Sequence, residues 1–279
     1  MKTRSILTVI LLLTIGNLWA KTIRVLAVGN SFSEDAVEQY LYELCAEGGD
    51  TLIIGNAYRG GQGLESHWNV VTNRQPAFSY RKIVEGIKTT TEACTLDAIL
   101  ADEPWDIVTF QQVSQDAGRP DTYEPYETHL IGYAQSRLGA KQPRIGFHMT
   151  WAYPEHSTHS GFKHYRNSQA EMYRAIVGAV RTNMKRHRDI TLLIPSGTAI
   201  QNARATYLGD RLNRDGFHLS LGLGRYIAAC TWAEAITRKT CIGRRFRPEN
   251  VSARDALTAQ KAAYSAIKHP YRLSNLSIK

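Results

Sequence analysis

The stretch RVLAVGNSFSEDAVEQYLYELC, residues 24–45, joins two hydrophobic patterns of different period. Its first part is a short, continuous apolar run, which is typical of a strand buried on both faces of a sheet. Its second part repeats apolar residues at the helical spacings i, i+3 and i+4, namely at Val37, Tyr40, Leu41, Leu44 and Cys45. The polar turn at residues 29–31 therefore predicts a strand that leads directly into a helix.

The same alternation continues along the chain. The predicted strands are Ile23–Val28, Thr51–Ile54, Ile107–Phe110, Arg144–His148 and Thr191–Ile194. Helical stripes follow at Met172, Ile176, Ala179 and Val180, and again at Tyr226, Ile227, Cys230, Ala233 and Ile236. Residues 79–91 have no helical stripe and predict an inserted loop or hairpin. Alternating strands and helices with short connections predict βαβ units and a helix–sheet–helix sandwich.

The chain has 279 residues, of which 43% are hydrophobic and 21% charged, as in an ordinary globular protein. It contains no internal repeat and no Pro/Gly-rich linker, so we expect a single domain over residues 21–279. Its core is expected at about residues 22–237, with a segment after residue 247 that wraps the surface and includes a short helix near Ala256–Ile267.

The first twenty residues predict a secretory signal peptide. Lys2 and Arg4 precede an apolar run, and Ala20 is a suitable last residue before cleavage. Because Leu18 is larger than usual at its position before the cut, an uncleaved anchor is the alternative. No later apolar run is long enough to span a bilayer. We therefore expect a secreted or periplasmic protein that has no membrane contact after cleavage.

The net charge of +9 is concentrated in two basic runs, residues 185–188 and 244–247. Neither run is interleaved with aromatic residues along a strand or helix, as a nucleic-acid surface often is. We expect solvated faces and no nucleic-acid partner, with attraction to acidic glycans as the alternative.

Cysteines and histidines give no metal or redox motif. The four cysteines include no Cys-x-x-Cys pair, which argues against zinc ribbons and thioredoxin chemistry, and their disulfide state stays open: Cys45, Cys94, Cys230 and Cys241. His156 and His159 form a His-x-x-His pair, but the segment reads as a loop without a matching carboxylate pattern. We expect no metal and no cofactor.

Ser31 has two interpretations. Ser31 with Glu34 three residues later forms a capping box, which satisfies helix N–H groups. A serine at a strand-to-helix turn can also be a nucleophile, with backbone N–H groups nearby to stabilise an oxyanion. A serine hydroxyl is a weak nucleophile and needs a base that is held by an orienting group.

The loop residues Asp215 and His218 can supply that base and its orienting group. Three residues apart on a turn, the carboxylate can contact one ring nitrogen and leave the other to face a serine. Elsewhere, His187 and His269 are expected to be exposed, and His67 could line a pocket. An isolated Asp-x-x-His is common, but its combination with Gly-Asn-Ser after the first strand favours a serine hydrolase.

At this point the chain resembles the SGNH, or GDSL-type, serine hydrolases. Residues 29–32 resemble their first block, with Asn30 and Phe32 where Asp and Leu are usual, and residues 215–218 resemble their last block. The resemblance covers about residues 22–237 and is to a secreted bacterial branch of poorly defined activity. It implies a flavodoxin-like fold with a five-stranded parallel sheet, in which Ser31 is the nucleophile, His218 the general base and acid, and Asp215 the orienting residue.

The two middle blocks of the family match less well. The second block is a glycine whose N–H binds the oxyanion, and the resemblance favours Gly61, with Gly60 next. The third block normally contributes an asparagine, which is absent here. A glutamine amide can donate the same hydrogen bond. Gln111 is the expected donor, and the rivals are Gln112, Ser114 and Gln115.

Aromatic residues lie near the predicted strand ends at Trp68, Trp151 and Tyr153. Packing explains each one singly, but together they could offer stacking faces for a sugar. We therefore expect a serine esterase that removes short acyl groups, above all O-acetyl, from carbohydrate. The alternatives are a lipid or small-ester hydrolase, and a non-catalytic glycan-binding protein on this fold. The sequence leaves the sugar, the ester position and the oligomeric state open.

Overall fold

The computed structural model describes residues 22–139 and 142–276. Within these residues seven strands form one sheet in the order β4-β3-β2-β1-β5-β6-β7. Their bounds are β1 (Thr22–Gly29), β2 (Thr51–Tyr58), β3 (Phe78–Val84), β4 (Ile87–Cys94), β5 (Ile107–Phe110), β6 (Arg144–His148) and β7 (Ile190–Ile194).

Five of these strands, β2, β1, β5, β6 and β7, are parallel neighbours, which confirms the expected α/β sandwich, but the whole sheet has seven strands and not the expected five. The segment at residues 79–91 is the hairpin β3–β4, and it extends the sheet by antiparallel pairing with β2. All four residues of β5 are buried, as their continuous apolar run predicts for a strand covered on both faces.

Helices flank the sheet in two groups. The bounds are α1 (Ser31–Val37), α2 (Leu41–Glu47), α3 (Leu64–Thr72), α4 (Leu96–Asp102), α5 (Tyr126–Leu138), α6 (Gln169–Arg186), α7 (Ser196–Arg204), α8 (Leu223–Thr237) and α9 (Ala253–Lys268). Helix α8 contacts α1, α2, α7 and α9, whereas α5 contacts α3 and α4. The expected late helix is α9, which starts three residues before the predicted Ala256 and packs on α7 and α8.

One helix prediction is wrong in its continuity. The apolar stripe from Val37 to Cys45 predicted one helix, but α1 and α2 are separated at Tyr40, whose φ of 68° is left-handed. The Tyr40 hydroxyl donates to the carbonyl oxygen of Leu221 at 2.8 Å, and its ring packs near Tyr226 and Phe246. These contacts with distant segments hold a backbone conformation that the local pattern does not encode.

The predicted signal peptide, residues 1–20, lies outside the described residues. Among the described helices none is long and apolar enough to cross a membrane. The four cysteines are unbridged in the structure; Cys45, Cys230 and Cys241 are buried and Cys94 is half-buried.

The parallel strands bring the functional candidates together. Strands β1, β2, β5, β6 and β7 all end at one edge of the sheet, so the turns that follow them meet there. Ser31, the glycines at residues 60–63 and Gln111 belong to these turns.

Candidate active site

The turn after β1 is capped by Asn30 and not by Ser31. The Asn30 Oδ1 accepts the backbone N–H of Phe32 at 3.0 Å, which makes Asn30 the N-cap of α1 and Ser31 its first residue. The predicted capping box is therefore wrong, and the Glu34 carboxylate instead pairs with Arg81 at 2.9 Å. Ser31 is half-buried and does not cap the helix. Its hydroxyl makes no hydrogen bond within the described part of the chain.

Asn30 also holds the loop that follows β2. Its Nδ2 donates to the carbonyl oxygen of Gln62 at 2.8 Å. An aspartate at residue 30 would place a carboxylate oxygen against that carbonyl, so the structure gives a reason for asparagine where the resembled family has aspartate. The amide joins the serine turn to the glycine loop.

Asp215 and His218 form the expected pair in the loop before α8. The Asp215 Oδ2 lies 2.7 Å from Nδ1 of His218, and its Oδ1 accepts the His218 backbone N–H at 2.8 Å. Gly216 has a φ of +86°, which lets the chain turn tightly between them. Burial alone would raise the pKa of Asp215, but the hydrogen bonds from the ring and backbone of His218 lower it overall.

The His218 loop packs against the start of α1. The ring of His218 lies 5.9 Å, between centroids, from the ring of Phe32, the residue after Ser31. The Nε2 of His218 is buried and has no hydrogen-bond partner among the described residues, so the expected bond to Ser31 is not formed in this structure. Hydrogen bonds of this kind are often long without substrate and tighten in the reacting complex. The triad stays a prediction.

The glycines after β2 serve two different purposes. Gly61 has a φ of +68°, and a Cβ there would meet nothing within 4 Å, so it supplies a left-handed turn beside open space. At Gly63 a Cβ would lie 2.4 Å from the Gln112 Oε1, so this glycine allows the close packing of α3 on the turn after β5. The exposed position of the Gly61 backbone is compatible with its expected role as an oxyanion donor, which stays untested.

Gln111 is a buried link and not an exposed donor. It is 2% exposed, its Nε2 donates to the Asn30 Oδ1 at 2.9 Å, and its Oε1 lies 2.8 Å from Nδ1 of His148. Since Oε1 must accept, His148 carries its proton on Nδ1, and its Nε2 accepts from the Ser196 hydroxyl at 3.0 Å. This arrangement corrects the expected role of Gln111 as an oxyanion donor.

Of the three alternatives to Gln111 as side-chain donor, Gln112 and Ser114 also have hydrogen-bond partners inside the protein. The Gln112 Oε1 accepts the backbone N–H groups of Leu64 and Val113, and its Nε2 donates to the carbonyl oxygen of Thr122. The Ser114 hydroxyl lies 2.8 Å from the Tyr153 hydroxyl. Gln115 is half-buried, its side chain makes no hydrogen bond within the described residues, and it is the side chain that stays available.

The aromatic residues predicted to stack on a sugar are used in packing. Trp151 is fully buried, its ring stacks on Phe32 at 4.2 Å between centroids, and its Nε1 donates to the Phe217 carbonyl oxygen. Tyr153 is likewise fully buried. Trp68 packs against His129 on α5, at 4.8 Å between ring centroids. The expectation of a stacking surface is therefore wrong for Trp151 and Tyr153, and Trp68 contributes to the α3–α5 contact.

His159, considered in the sequence as half of a His-x-x-His pair, lies beside the candidate site. Its ring packs on Phe217 and Tyr153, with centroids 5.0 and 4.9 Å away, and its Nδ1 accepts the backbone N–H of Gly161 at 3.0 Å. Partial burial, and the nearby charge of His218, lower the pKa of His159. Within the described residues no group of three or more His, Cys, Asp or Glu side chains could hold a metal ion.

A buried ionic cluster at the site was missed by sequence reasoning. Asp35, four residues after Ser31 on α1, is fully buried and pairs with Arg214 and Arg225. Burial raises the pKa of Asp35, and the charges of Arg225 and Arg214 oppose that rise. The available signals were an aspartate one helical turn from the serine and an arginine in the otherwise apolar stretch of α8.

Comparisons with known proteins agree with this architecture. The model of the domain of unknown function DUF4886 matches residues 24–266. A DUF4886 family protein of known structure from Bacteroides uniformis is 45% identical, with a TM-score of 0.89 over 92% of this chain and 100% of that one. Among curated proteins no significant match was found.

A candidate SGNH hydrolase from Slackia heliotrinireducens shares the fold at 22% identity, with a TM-score of 0.53 over 77% of this chain and 99% of that one. This likeness bears on the fold alone. With the parallel sheet and the serine turn already described, the chain belongs to the DUF4886 family and has the fold of the SGNH hydrolases.

Proposed function

We propose that this protein is a serine esterase that uses Ser31, His218 and Asp215 to remove short acyl groups, above all O-acetyl, from carbohydrate outside the cytoplasm. One observation carries the proposal. The Asp215–His218 pair is joined at 2.7 Å, and within the described residues neither the second ring nitrogen of His218 nor the hydroxyl of Ser31, on the turn beside it, has a hydrogen-bond partner. A carboxylate, an imidazole and a free serine at one edge of a parallel sheet are the elements of nucleophilic ester hydrolysis.

In the proposed reaction, Nε2 of His218 takes the Ser31 proton as the serine oxygen attacks the ester carbonyl. The tetrahedral oxyanion receives hydrogen bonds from the backbone N–H groups of Ser31 and Gly61, and Gln115 is the candidate side-chain donor. His218 then protonates the departing alcohol, which leaves an acyl-enzyme. Water that is deprotonated by His218 attacks the acyl group, and release of the acid restores Ser31. Asp215 stabilises the imidazolium in both halves of the reaction.

A polar groove supports carbohydrate as the substrate class. The groove, about 400 Å³ in volume, begins at Gly61 and Gly63 and runs between α3 and the turn after β5. Polar side chains line it, among them Ser66, Gln112, Gln115, Asp116, Arg119 and Thr122. Such a lining suits the hydroxyl groups of a sugar better than an alkyl chain, because an alkyl chain would displace water from polar groups without replacing its hydrogen bonds.

Covalent labelling tests the nucleophile. The chain without residues 1–20 is incubated with a fluorophosphonate at neutral pH, and the modified residue is located by mass spectrometry. We expect modification at Ser31 and none in Ser31→Ala. The control is Ser33→Ala, which removes a buried hydroxyl two residues away and should retain labelling. A folded, unlabelled protein would contradict the esterase and favour the non-catalytic glycan-binding alternative.

Substrate preference is a separate measurement. Acetate release from acetylated polysaccharide is compared with hydrolysis of short-chain and long-chain aryl esters. The proposal expects acetyl esters to be preferred by at least about tenfold in kcat/KM, a difference of about 1.4 kcal/mol. Preference for long chains would instead favour a lipid hydrolase on the same fold.

A further inference from the structure

The Ser31 helix and the His218 loop are tied together by one buried carboxylate. The Asp35 Oδ1 accepts from Nη1 of Arg214 at 2.9 Å and from Nη2 of Arg225 at 2.7 Å, and its Oδ2 accepts the backbone N–H of Leu219 at 2.7 Å. Arg214 and Leu219 lie on either side of His218 in the chain. One side chain on α1 thus fixes both ends of the segment that carries the proposed base.

The segment is also closed on itself, so it moves as a unit. Residues Asn213 and Leu219 form an antiparallel bridge, and the Arg214 backbone N–H donates to the His218 carbonyl oxygen at 3.0 Å. A shift of its ends relative to α1 would therefore carry His218 with it, relative to Ser31.

Arg214 stands between two carboxylates. Its Nη1 is 2.9 Å from the Asp35 Oδ1, whereas its Nε is 3.8 Å from the Asp215 Oδ2, the oxygen that contacts His218. If Asp35 were neutral, the guanidinium would be free to pair closely with Asp215 and would compete with the imidazole for it.

We propose that Asp35 is a positioning residue that holds the His218 loop against the Ser31 helix and keeps the Arg214 guanidinium from approaching Asp215 more closely than the observed 3.8 Å. The inference rests on the proposed function, because it assigns to Asp35 the geometry and the charge of that same Ser31–His218–Asp215 site. Asp35 contacts neither substrate nor the reacting atoms in this scheme and acts through Arg214 and Leu219.

The charged and titratable groups that face His218 come from several segments. Asp215 and Arg214 belong to its own loop, His159 lies in the segment before α6, Asp35 lies on α1 and Arg225 on α8. Of these groups, Asp35 and Arg214 carry opposite charges and form an ion pair, so substitutions at the two residues should have opposite effects on His218.

The test compares Asp35→Asn with Arg214→Gln. Removing the Asp35 charge disfavours a protonated His218, so the acid limb of the kcat/KM profile should move to lower pH by up to about one unit. Removing the Arg214 charge favours the protonated ring, so the limb should move to higher pH. Asp35→Asn should also lower kcat by about 10-fold to 100-fold at the optimum pH, since the loop is misplaced, with little change in KM.

Glu38→Gln is the matched control, because Glu38 is another buried carboxylate near the end of α1, and its partners are Asn56, Arg81 and Lys88. It should leave the acid limb in place. Opposite shifts in Asp35→Asn and Arg214→Gln support the proposal. Shifts of the acid limb in the same direction, or a fall in kcat without any shift of the limb, would overturn the proposal. Asp35 would then contribute only to the stability of the fold.

NMR titration of the His218 ring, assigned by comparison with His218→Gln, measures the same shifts without any substrate. If Asp35→Asn does not fold, Asp35→Glu replaces it: this variant keeps the charge but moves the carboxylate, so kcat should fall while the titration of the ring stays in place, and an unchanged kcat would overturn the positioning role. An unlabelled wild-type Ser31 together with opposite NMR shifts would contradict the esterase and still support the role of Asp35 in charge and placement.

Discussion

Two histidines at the same edge of the sheet have contrasting surroundings. His218 lies on a loop, contacts the carboxylate of Asp215 and has no partner for Nε2 within the described residues. His148 ends β6, contacts the neutral amide of Gln111 at 2.8 Å and accepts from Ser196 at 3.0 Å. In both, a side-chain oxygen lies within hydrogen-bond distance of Nδ1. Both also lie near a serine, Ser31 for His218 and Ser196 for His148.

The two histidines differ in the group that contacts Nδ1, and this group decides whether the protonated ring is stabilised. Burial lowers the pKa of His148 to about 3, so its ring is neutral at neutral pH, and both of its nitrogens are already hydrogen-bonded. An amide offers no charge to stabilise an imidazolium, whereas a carboxylate does. We therefore interpret the His148 chain, which reaches Asn30 through Gln111, as the support beneath the serine turn, and His218 as the base.

The largest expected effect is the loss of ester hydrolysis when His218 is replaced. His218→Gln should lower kcat/KM for an acetyl ester by about 10⁴-fold to 10⁶-fold, since removal of a triad base costs at least as much as removal of its orienting carboxylate. Because glutamine is close in size to the ring, which is 17% exposed, the free energy of unfolding should fall by no more than about 1 kcal/mol, from the lost contact with Asp215 and the changed packing. Ester hydrolysis and urea unfolding measure the two quantities. A loss of less than tenfold would mean that His218 is not the base.

The next largest effect is the loss of stability when His148 is replaced. His148→Ala should lower the free energy of unfolding by about 2–4 kcal/mol, because it opens a cavity and removes the partner of the Gln111 Oε1 and of the Ser196 hydroxyl. The folded fraction should keep kcat/KM within about tenfold of wild type. Urea unfolding and hydrolysis at a temperature where the variant is folded check this. A fully stable but inactive variant would contradict the division of roles.

The effect that is smallest over one unit of pH is the pH dependence of stability. His148 has a pKa of about 3 in the folded protein against an ordinary value of 6.5, so the unfolded chain binds the extra proton between these pH values. Its contribution to stability is complete above about 6.5 and is lost as the pH falls toward 3, by at most about 1.4 kcal/mol per pH unit.

The control for this pH dependence is His148→Gln, which cannot titrate. The slope of unfolding free energy against pH should be smaller in this variant than in wild type. His67, whose pKa burial also lowers to about 3, should contribute the same amount to the slope in both proteins, so the difference between the two slopes reports His148. Equal slopes in wild type and variant would show that His148 does not resist protonation in the folded state.

Much of the fold could be predicted because its signals are local. The apolar runs located all five parallel strands, and residues 107–110 and 144–148 were predicted with the bounds that the structure has. The stripe at residues 37–45 failed at Tyr40, since a distant carbonyl and two distant rings hold its backbone there. Period alone cannot report such a contact.

The candidate site divides in the same way. The Asp215–His218 pair spans three residues, so turn chemistry made it predictable. The roles of Asn30 and Gln111 depend on a hydrogen bond between residues 81 apart, and that of Asp35 on a pair with Arg214 that spans 179 residues. Large aromatic residues near strand ends were equally ambiguous, because burial of Trp151 and Tyr153 is decided by what packs over them.

By itself, then, the sequence determined the order of strands and helices, the serine turn after β1 and the Asp-x-x-His loop, since these depend on side-chain period and on residues a few positions apart. Only the tertiary structure decided that Asn30 caps the helix, that Gln111 is a buried link and that Asp35 joins the serine helix to the histidine loop. These roles arise when segments far apart in the chain are packed together, where burial and hydrogen-bond partners are set by neighbours that no local pattern contains.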